Sequence, residues 1–326
     1  MTGPVLDICG LTVDFRGDAG LVHAVRDLSL QVAAGEVVGI VGESGSGKSV
    51  TMLAAMGLLD SRRTVISADR LAVDGQDVLT LAPRALADLR GPVVSFVFQD
   101  PLTALNPLLT VGRQITEGLR RHRGLTRTAA RALAVDLLGQ VGIPEPALRL
   151  RQFPHQLSGG MRQRVMIAIA LAVDPKLLIA DEPTTALDVT VQAEIVRLVQ
   201  SIQSARGMAM VWVTHDLALL ARLAHRVVVM YAGRVVEDAP VARLYSAPAH
   251  PYTAALLASG SRIDAPFDPS EPIPGAPPDP RLAVPGCSFA PRCARVQARC
   301  HTERPPLTDL GQGQRAACWN PVQVPA

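Results

Sequence analysis

The chain has 326 residues, 48% of them hydrophobic, and a formal net charge of +3. That composition is an ordinary globular one with enough apolar matter for a sizeable core, and the length allows one large domain or one domain with an appendage. No apolar run approaches the ~18 to 20 residues that span a bilayer, and "MTGPVLDICG" lacks both the basic start and the apolar centre of a signal segment. The reading is therefore a cytoplasmic chain for which any membrane link comes through partners.

In chain order, the first strong strand signal is "VVGIV" at 37 to 41, followed by "GESGSGKS" and then by the helix-compatible "SVTMLAAMGLL". The short glycine-rich stretch fits G-x-x-x-x-G-K-[ST] through Gly42, Gly47, Lys48 and Ser49. Of the chain's 32 basic residues only Lys48 and Lys176 are lysine. Lys48 stands where a compact ammonium on a flexible stem can reach outer phosphates that a planar guanidinium fits badly. Glycines let the backbone curl so that its N–H groups point at phosphate oxygens, and the positive end of the next helix adds to that field. Gly42, Glu43, Ser44, Gly45, Ser46, Gly47, Lys48, Ser49 and Val50 form this candidate cradle, with Ser49 as a ligand to Mg²⁺.

A second strand is expected at "VVSFVF" (93 to 98), and from about 104 to 173 the pattern turns helical, which suggests an inserted helical subdomain. Within it, the basic run "LRRHRGLTRTAARAL" from Leu119 reads as the solvated face of a helical region rather than as a nucleic-acid contact. The apolar "VMIAIALAV" at 165 to 173 has the length of a buried helix segment. The strand "LLIAD" (177 to 181) then runs into "LLIADEP", which puts two adjacent acids at the end of a buried strand. Neighbours on a strand point to opposite sides, so Asp181 can hold the Mg²⁺ shell while Glu182 polarises the water that attacks a γ-phosphate. A helix follows with Ile195, Leu198, Val199 and Ile202 at helical spacing, then strands at "MVWV" (210 to 213) and "RVVVMY" (226 to 231). Strands that are apolar on both faces and separated by helices point to a largely parallel, covered sheet.

From about 262 proline and glycine dominate, the composition of a linker, and four of the five cysteines lie in the last 40 residues. Cys287, Cys293, Cys300 and Cys318 are spaced C-x5-C-x6-C-x17-C, and in a cytosolic protein such a cluster suggests metal before disulfide. Four thiolates can take tetrahedral zinc or an iron–sulfur cluster, though the tight C-x2-C pairs common in zinc sites are absent; thiols without metal stay open as well.

Between the cradle and the acids lies "LSGGMRQR" (157 to 164), and with "LIADEP" downstream the chain resembles the nucleotide-binding subunits of ABC transporters over roughly residues 5 to 260. The resemblance implies roles for Gln99 in "VFQDP" as the Mg²⁺-sensing Q-loop residue and for Ser158, Gly159, Gly160 and Gln163 as the signature. It likewise implies Asp188 at the end of the "TALD" D-loop and His215 in "VWVTHD" as the residue that contacts the γ-phosphate and orients attack. Phe15 is the candidate for stacking on adenine, with a core phenylalanine as the rival reading. In such a family the signature closes on ATP held by a second subunit, by the same helix-terminus logic that serves the first cradle.

"FQDPLTALNPLLTVG", "AHPYTAALLAS" and "PGCSFAPRCARVQARC" narrow the resemblance to the ATPases of oligopeptide, dipeptide and nickel importers. The fold implied is an α/β P-loop NTPase of ABC type: a RecA-like core, an antiparallel β subdomain, an inserted helical subdomain and a small cysteine-containing tail. The division is 1–260 for the ATPase and 261–326 for linker and tail. The function implied is ATP hydrolysis that drives peptide import, with nickel or another solute as the alternative cargo. Its cofactors are Mg²⁺ and a [4Fe–4S] cluster on the four tail cysteines. Its partners are two membrane permease subunits, a second ATPase subunit (related chain or copy) and an extracytoplasmic binding protein, with the chain peripheral on the cytoplasmic face. A cytosolic ABC protein acting on ribosomes or DNA usually carries two ATPase domains or long coiled coils, and neither is present. A module that holds ATP without hydrolysing it fits poorly with Glu182, His215 and Gln99 all in place.

Overall fold

The computed structural model describes residues 3–17, 20–184, 188–259 and 273–322. It divides into two compact units, the first made of Met1–Leu6, Val32–Glu36 and Val73–Val211, the second of Asp7–Gln31, Val37–Ala72 and Trp212–Ala326. The strand Ala209–Thr214, buried along its whole length, passes from one to the other.

In the first unit two fully buried strands, Val94–Val97 and Leu177–Asp181, pair in parallel from Val94 opposite Leu177 to Val97 opposite Ala180. The expected helical stretch is present as Pro101–Ala104, Val111–Arg123, Arg127–Gln140, Pro146–Arg149 and Gly159–Leu171. Each longer helix starts on a side-chain oxygen that takes an otherwise unpaired N–H: Thr110 accepts from Arg113, Thr126 from Ala129 and Ser158 from Met161. Val165, Met166, Ile167, Ala168, Ala170 and Leu171 are buried, as the apolar run requires. The basic run has a local explanation. Arg120, Arg121, His122 and Arg123 occupy the last turn of Val111–Arg123, where positive charge opposes the helix dipole, and Gly124 closes the helix in the left-handed region. Helix Val189–Arg206 starts on Asp188 and buries Ile195, Val196, Val199 and Gln203. The stripe expected from spacing puts Leu198 and Ile202 inside as well, and these are only half-buried.

The second unit has an antiparallel layer in which Leu6–Gly17 lies between Gly20–Val32 and Arg70–Val73, with Thr64–Ser67 also pairing on Leu6–Gly17. Its other sheet holds Val37–Val41 in parallel with Arg226–Tyr231, which pairs antiparallel with Arg234–Pro240. The tail adds to that sheet: Arg315–Ala316 runs antiparallel to Arg234–Pro240, and Thr308–Asp309 pairs outside it. Trp212, Tyr231 and Tyr252 are the largest fully buried side chains. These elements carry the antiparallel layer and P-loop core expected from the sequence. Among the described residues no helix is long and apolar enough to cross a membrane. Expected features at 185 to 187 of the D-loop and at 260 to 272 of the proline-rich segment lie outside the described residues.

Candidate functional site

The strand Val37–Val41, buried at every position, delivers the chain into the glycine-rich loop. The helix Lys48–Ala55 begins on Gly47, whose φ of 96° lies in the region that favours glycine. The loop leaves no room for side chains at its ends. A Cβ on Gly42 would come 2.1 Å from the Met230 carbonyl, and one on Gly47 would come 2.5 Å from the Ala24 carbonyl. The turn at 232 to 233 is bonded to it, since the Gly233 N–H donates to the Ser46 carbonyl at 3.0 Å.

Lys48 is 5% exposed and folds back over the loop, its Nζ donating to the carbonyls of Gly42 (2.8 Å) and Glu43 (3.0 Å). A buried ammonium held over a curled backbone is a charge already desolvated and aimed, the arrangement a polyphosphate needs. Ser46 is buried, Ser49 and Val50 are half-buried, and Ser44 and Gly45 are exposed. A pocket of about 260 Å³ opens beside the loop, lined by Glu43, Ser44, Gly45 and Ser46 together with His23, Arg26 and Pro277–Pro280. Phe15 does not line it; it is half-buried on Leu6–Gly17 opposite Thr64.

In the first unit the ends of the paired strands bring two expected residues together. Gln99 Nε2 donates to Glu182 Oε2 at 3.2 Å, and Asp181 is buried at the strand end. Glu182 has a φ of 45°, unusual for a residue with a Cβ and the kind of conformation kept at sites where a side chain must be aimed. Ser158 caps the helix Gly159–Leu171 with its Oγ and lies exposed with Gly159, where a Cβ would meet nothing within 4 Å. Gln163 is buried, and its Nε2 has no hydrogen-bond partner among the described residues. Asp188 is exposed and caps its own helix through the Val191 N–H. His215 is exposed just past Ala209–Thr214, in the second unit.

None of the cysteines forms a disulfide. Cys287, Cys293, Cys300 and Cys318 line one small cavity with His250, Phe289 and Trp319. Burial pushes the thiols of Cys287, Cys293 and Cys318 up, that of Cys318 to about 11, and the neighbouring cysteines push the same way. Four thiols whose charged forms repel one another around a common space are chemically suited to a bound cation or cluster. Among the described residues, however, no group of three or more His, Cys, Asp or Glu is placed to hold one metal ion. The four cysteines thus line one cavity, and the iron–sulfur cluster expected on them has no support from their placement.

The site also includes residues that no sequence motif singles out. Tyr252 Oη accepts the Glu43 N–H at 2.9 Å, and Arg292 reaches the Glu43 carboxylate. Tyr252 lies in "AHPYTAALLAS" and Arg292 in "PGCSFAPRCARVQARC", two stretches that carry the branch resemblance. Nothing local to either ties it to a loop some 200 residues away.

Similarity to known proteins agrees with this geometry. The ABC transporter family matches residues 25–185, and the oligopeptide/dipeptide transporter C-terminal region matches residues 236–300. A putative peptide import ATP-binding protein of Brucella abortus (strain 2308) is 47% identical over 324 residues, 99% of this chain and 96% of the relative. The chain belongs to the ATP-binding subunits of ABC transporters. Within that family the dipeptide transport ATP-binding protein DppD of Escherichia coli (strain K12) is 48% identical over 318 residues, 98% of this chain and 97% of its own. Among solved ABC structures, the ATP-binding cassette MJ0796, a dimer in a post-hydrolysis state bound to ADP and Pi, aligns with a TM-score of 0.64 at 29% identity. It covers 72% of this chain and 98% of its own; a second dimeric structure of that cassette gives a TM-score of 0.65 over the same shares. As a member of this family the chain is an ATPase.

Proposed function

We propose that this ATPase energises the import of peptides of the oligopeptide or dipeptide type across the cytoplasmic membrane, peripheral on its inner face. The observation that carries the reading is that one chain joins an ATP-binding cassette to the oligopeptide/dipeptide C-terminal region, over nearly the whole length of relatives named for peptide import and dipeptide transport. The cassette takes residues 1–260 with its helical subdomain at about 104–173, and 261–326 form the linker and tail.

Residues 42 to 50 hold the phosphates of ATP, with Lys48 on the outer ones, and Phe15 stacks on the adenine. Ser49, Gln99 and Asp181 hold Mg²⁺, which when bound offsets the charge of the phosphate oxygens. Glu182 accepts a proton from water as its oxygen attacks the γ-phosphorus; the bond to the bridging oxygen breaks, and ADP and phosphate leave. His215 orients that attack. Ser158, Gly159, Gly160, Gln163 and Asp188 serve the ATP on a second ATPase subunit, either a related chain or a copy, and exposed Ser158 and Gly159 are compatible with that service. Two permease subunits transmit the cycle, and a substrate-binding protein outside the membrane delivers cargo. Cys287, Cys293, Cys300 and Cys318 hold a [4Fe–4S] cluster that cross-links a tail poor in core of its own.

Deleting the chain from its host tests the cargo. Uptake of labelled di- and oligopeptides should be lost and restored by the wild-type chain but not by Lys48→Ala; intact peptide uptake with lost nickel uptake overturns the assignment. For the tail, anaerobically purified protein should contain roughly four irons and four sulfides per chain, and zinc alone contradicts the cluster.

A further inference from the structure

Arg292 ends the one-turn helix Ala290–Arg292, between Cys287 and Cys293, and its side chain is only 5% exposed. A guanidinium has five N–H groups, and here each has an acceptor. Nη1 donates to Glu43 Oε2 (2.8 Å) and to Tyr231 Oη (3.1 Å), and Nη2 to Glu43 Oε1 (3.0 Å) and to the Ile273 carbonyl (3.0 Å). Nε donates to the Pro274 carbonyl at 2.9 Å. The pair with Glu43 is thus two-pronged, the strongest geometry an arginine offers a carboxylate. The group also lies over the rings of Tyr231 (5.7 Å) and Phe289 (5.9 Å).

Glu43 is the second residue of the glycine-rich loop, and its main chain is tied as firmly as its side chain. Its N–H donates to Tyr252 Oη, and its carbonyl accepts from Lys48 Nζ. Tyr252 in turn packs against Tyr231 and Phe289, with ring centres 4.7 Å and 5.4 Å away. One residue of the loop is therefore clamped by the tail on one side and bonded to the phosphate-binding lysine on the other.

We propose that Arg292 is a positioning residue of the nucleotide site: through Glu43 it holds the first turn of the loop in its curled form and cancels a carboxylate that would repel the triphosphate. This rests on the reading of residues 42 to 50 as the phosphate cradle. Two physical effects follow. A loop already ordered gives up less conformational freedom when ATP binds. An unpaired carboxylate at the edge of a polyanion site opposes binding by charge.

The two effects separate a positioning role from mere docking of the tail. In the purified full-length chain, Arg292→Ala should raise the Kd for a fluorescent ATP analogue with Mg²⁺ about tenfold. Arg292→Lys, which keeps the charge but not the fork, should fall in between. Adding Glu43→Gln to Arg292→Ala should recover part of the affinity, because the stranded charge goes with it. In the assembled transporter the KM for ATP should rise while kcat holds. Thermal melting, followed in parallel, reports the folding contribution alone. A folded Arg292→Ala with wild-type Kd and KM overturns the proposal, and so does a double variant that binds no better than the single one. If Arg292→Ala does not fold, Arg292→Lys is measured in its place, alone and with Glu43→Gln, and the same two results overturn the proposal. Lys48→Ala serves as the control: if it binds nucleotide normally the cradle reading itself fails, whereas loss in Lys48→Ala beside normal Arg292 variants removes only the role of Arg292.

Discussion

Glu182 leaves its strand in a backbone conformation that only a few residue types tolerate well, with its carboxylate bonded to Gln99. Removing its basicity while keeping its shape isolates the proton-accepting role. Glu182→Gln should keep nucleotide binding and lower hydrolysis roughly 10²- to 10⁴-fold, measured as single-turnover phosphate release; near-normal release would take Glu182 out of that role. Gly47 offers a second residue-scale test. Its φ of 96° and the 2.5 Å that would separate an added Cβ from the Ala24 carbonyl combine strain with a backbone clash that no rotamer relieves. Gly47→Ala should therefore abolish ATP-analogue binding, and a variant that binds within about threefold of wild type contradicts the tight loop. At this scale the sequence is informative where chemistry is local. The cradle and the two acids each stand in a short contiguous pattern. Arg292 is not legible, because its partner lies 249 residues away and its neighbours advertise only the cysteines.

Elements of the second unit place all three of the chain's tyrosines in company that disfavours the phenolate. Tyr231 ends a buried strand, Tyr245 lies on Val241–Ser246 with its hydroxyl donating to the Leu217 carbonyl, and Tyr252 lies on Pro251–Ser259. Burial raises the pKa of each above its ordinary value near 10. The sign is definite: above pH 10 the unfolded chain releases these protons while the folded chain keeps them, so their contribution to stability is present below pH 10 and lost as pH rises. In an ultraviolet titration no tyrosinate should form near pH 10 while the protein is folded, and all three should appear together on unfolding. Independent titration near pH 10 would contradict the packing. Strand positions are legible because continuous apolar runs bounded by turn residues leave few alternatives: Val37–Val41, Leu177–Asp181 and Arg226–Tyr231 match their expected limits. The buried face of Val189–Arg206 is less so. Gln203 goes inside because its amide donates to the Met208 carbonyl, a partner that spacing of apolar residues does not reveal.

For the molecule as a whole, the tail is the least legible part. Its composition reads as a linker and a small appendage, yet Arg315–Ala316 extends a sheet of the second unit, and Gln314 and the backbone at 249 to 250 converge on the fully buried Glu237. Two-residue strands carry no periodicity, and a buried carboxylate announces itself only through partners distant in sequence. A tail fastened in this way is part of the second unit's own fold. The larger claim reaches beyond a single chain: we propose that ATP on residues 42 to 50 is completed by the signature turn at 158 to 160 of a second ATPase subunit, where Ser158 and Gly159 are exposed. The most direct test is the structure of the assembled transporter carrying Glu182→Gln and trapped with Mg²⁺ and ATP. The account predicts nucleotide between Lys48 of one ATPase subunit and the signature turn of the other. A trapped state in which Ser158 and Gly159 face solvent, or touch only their own chain, would contradict it.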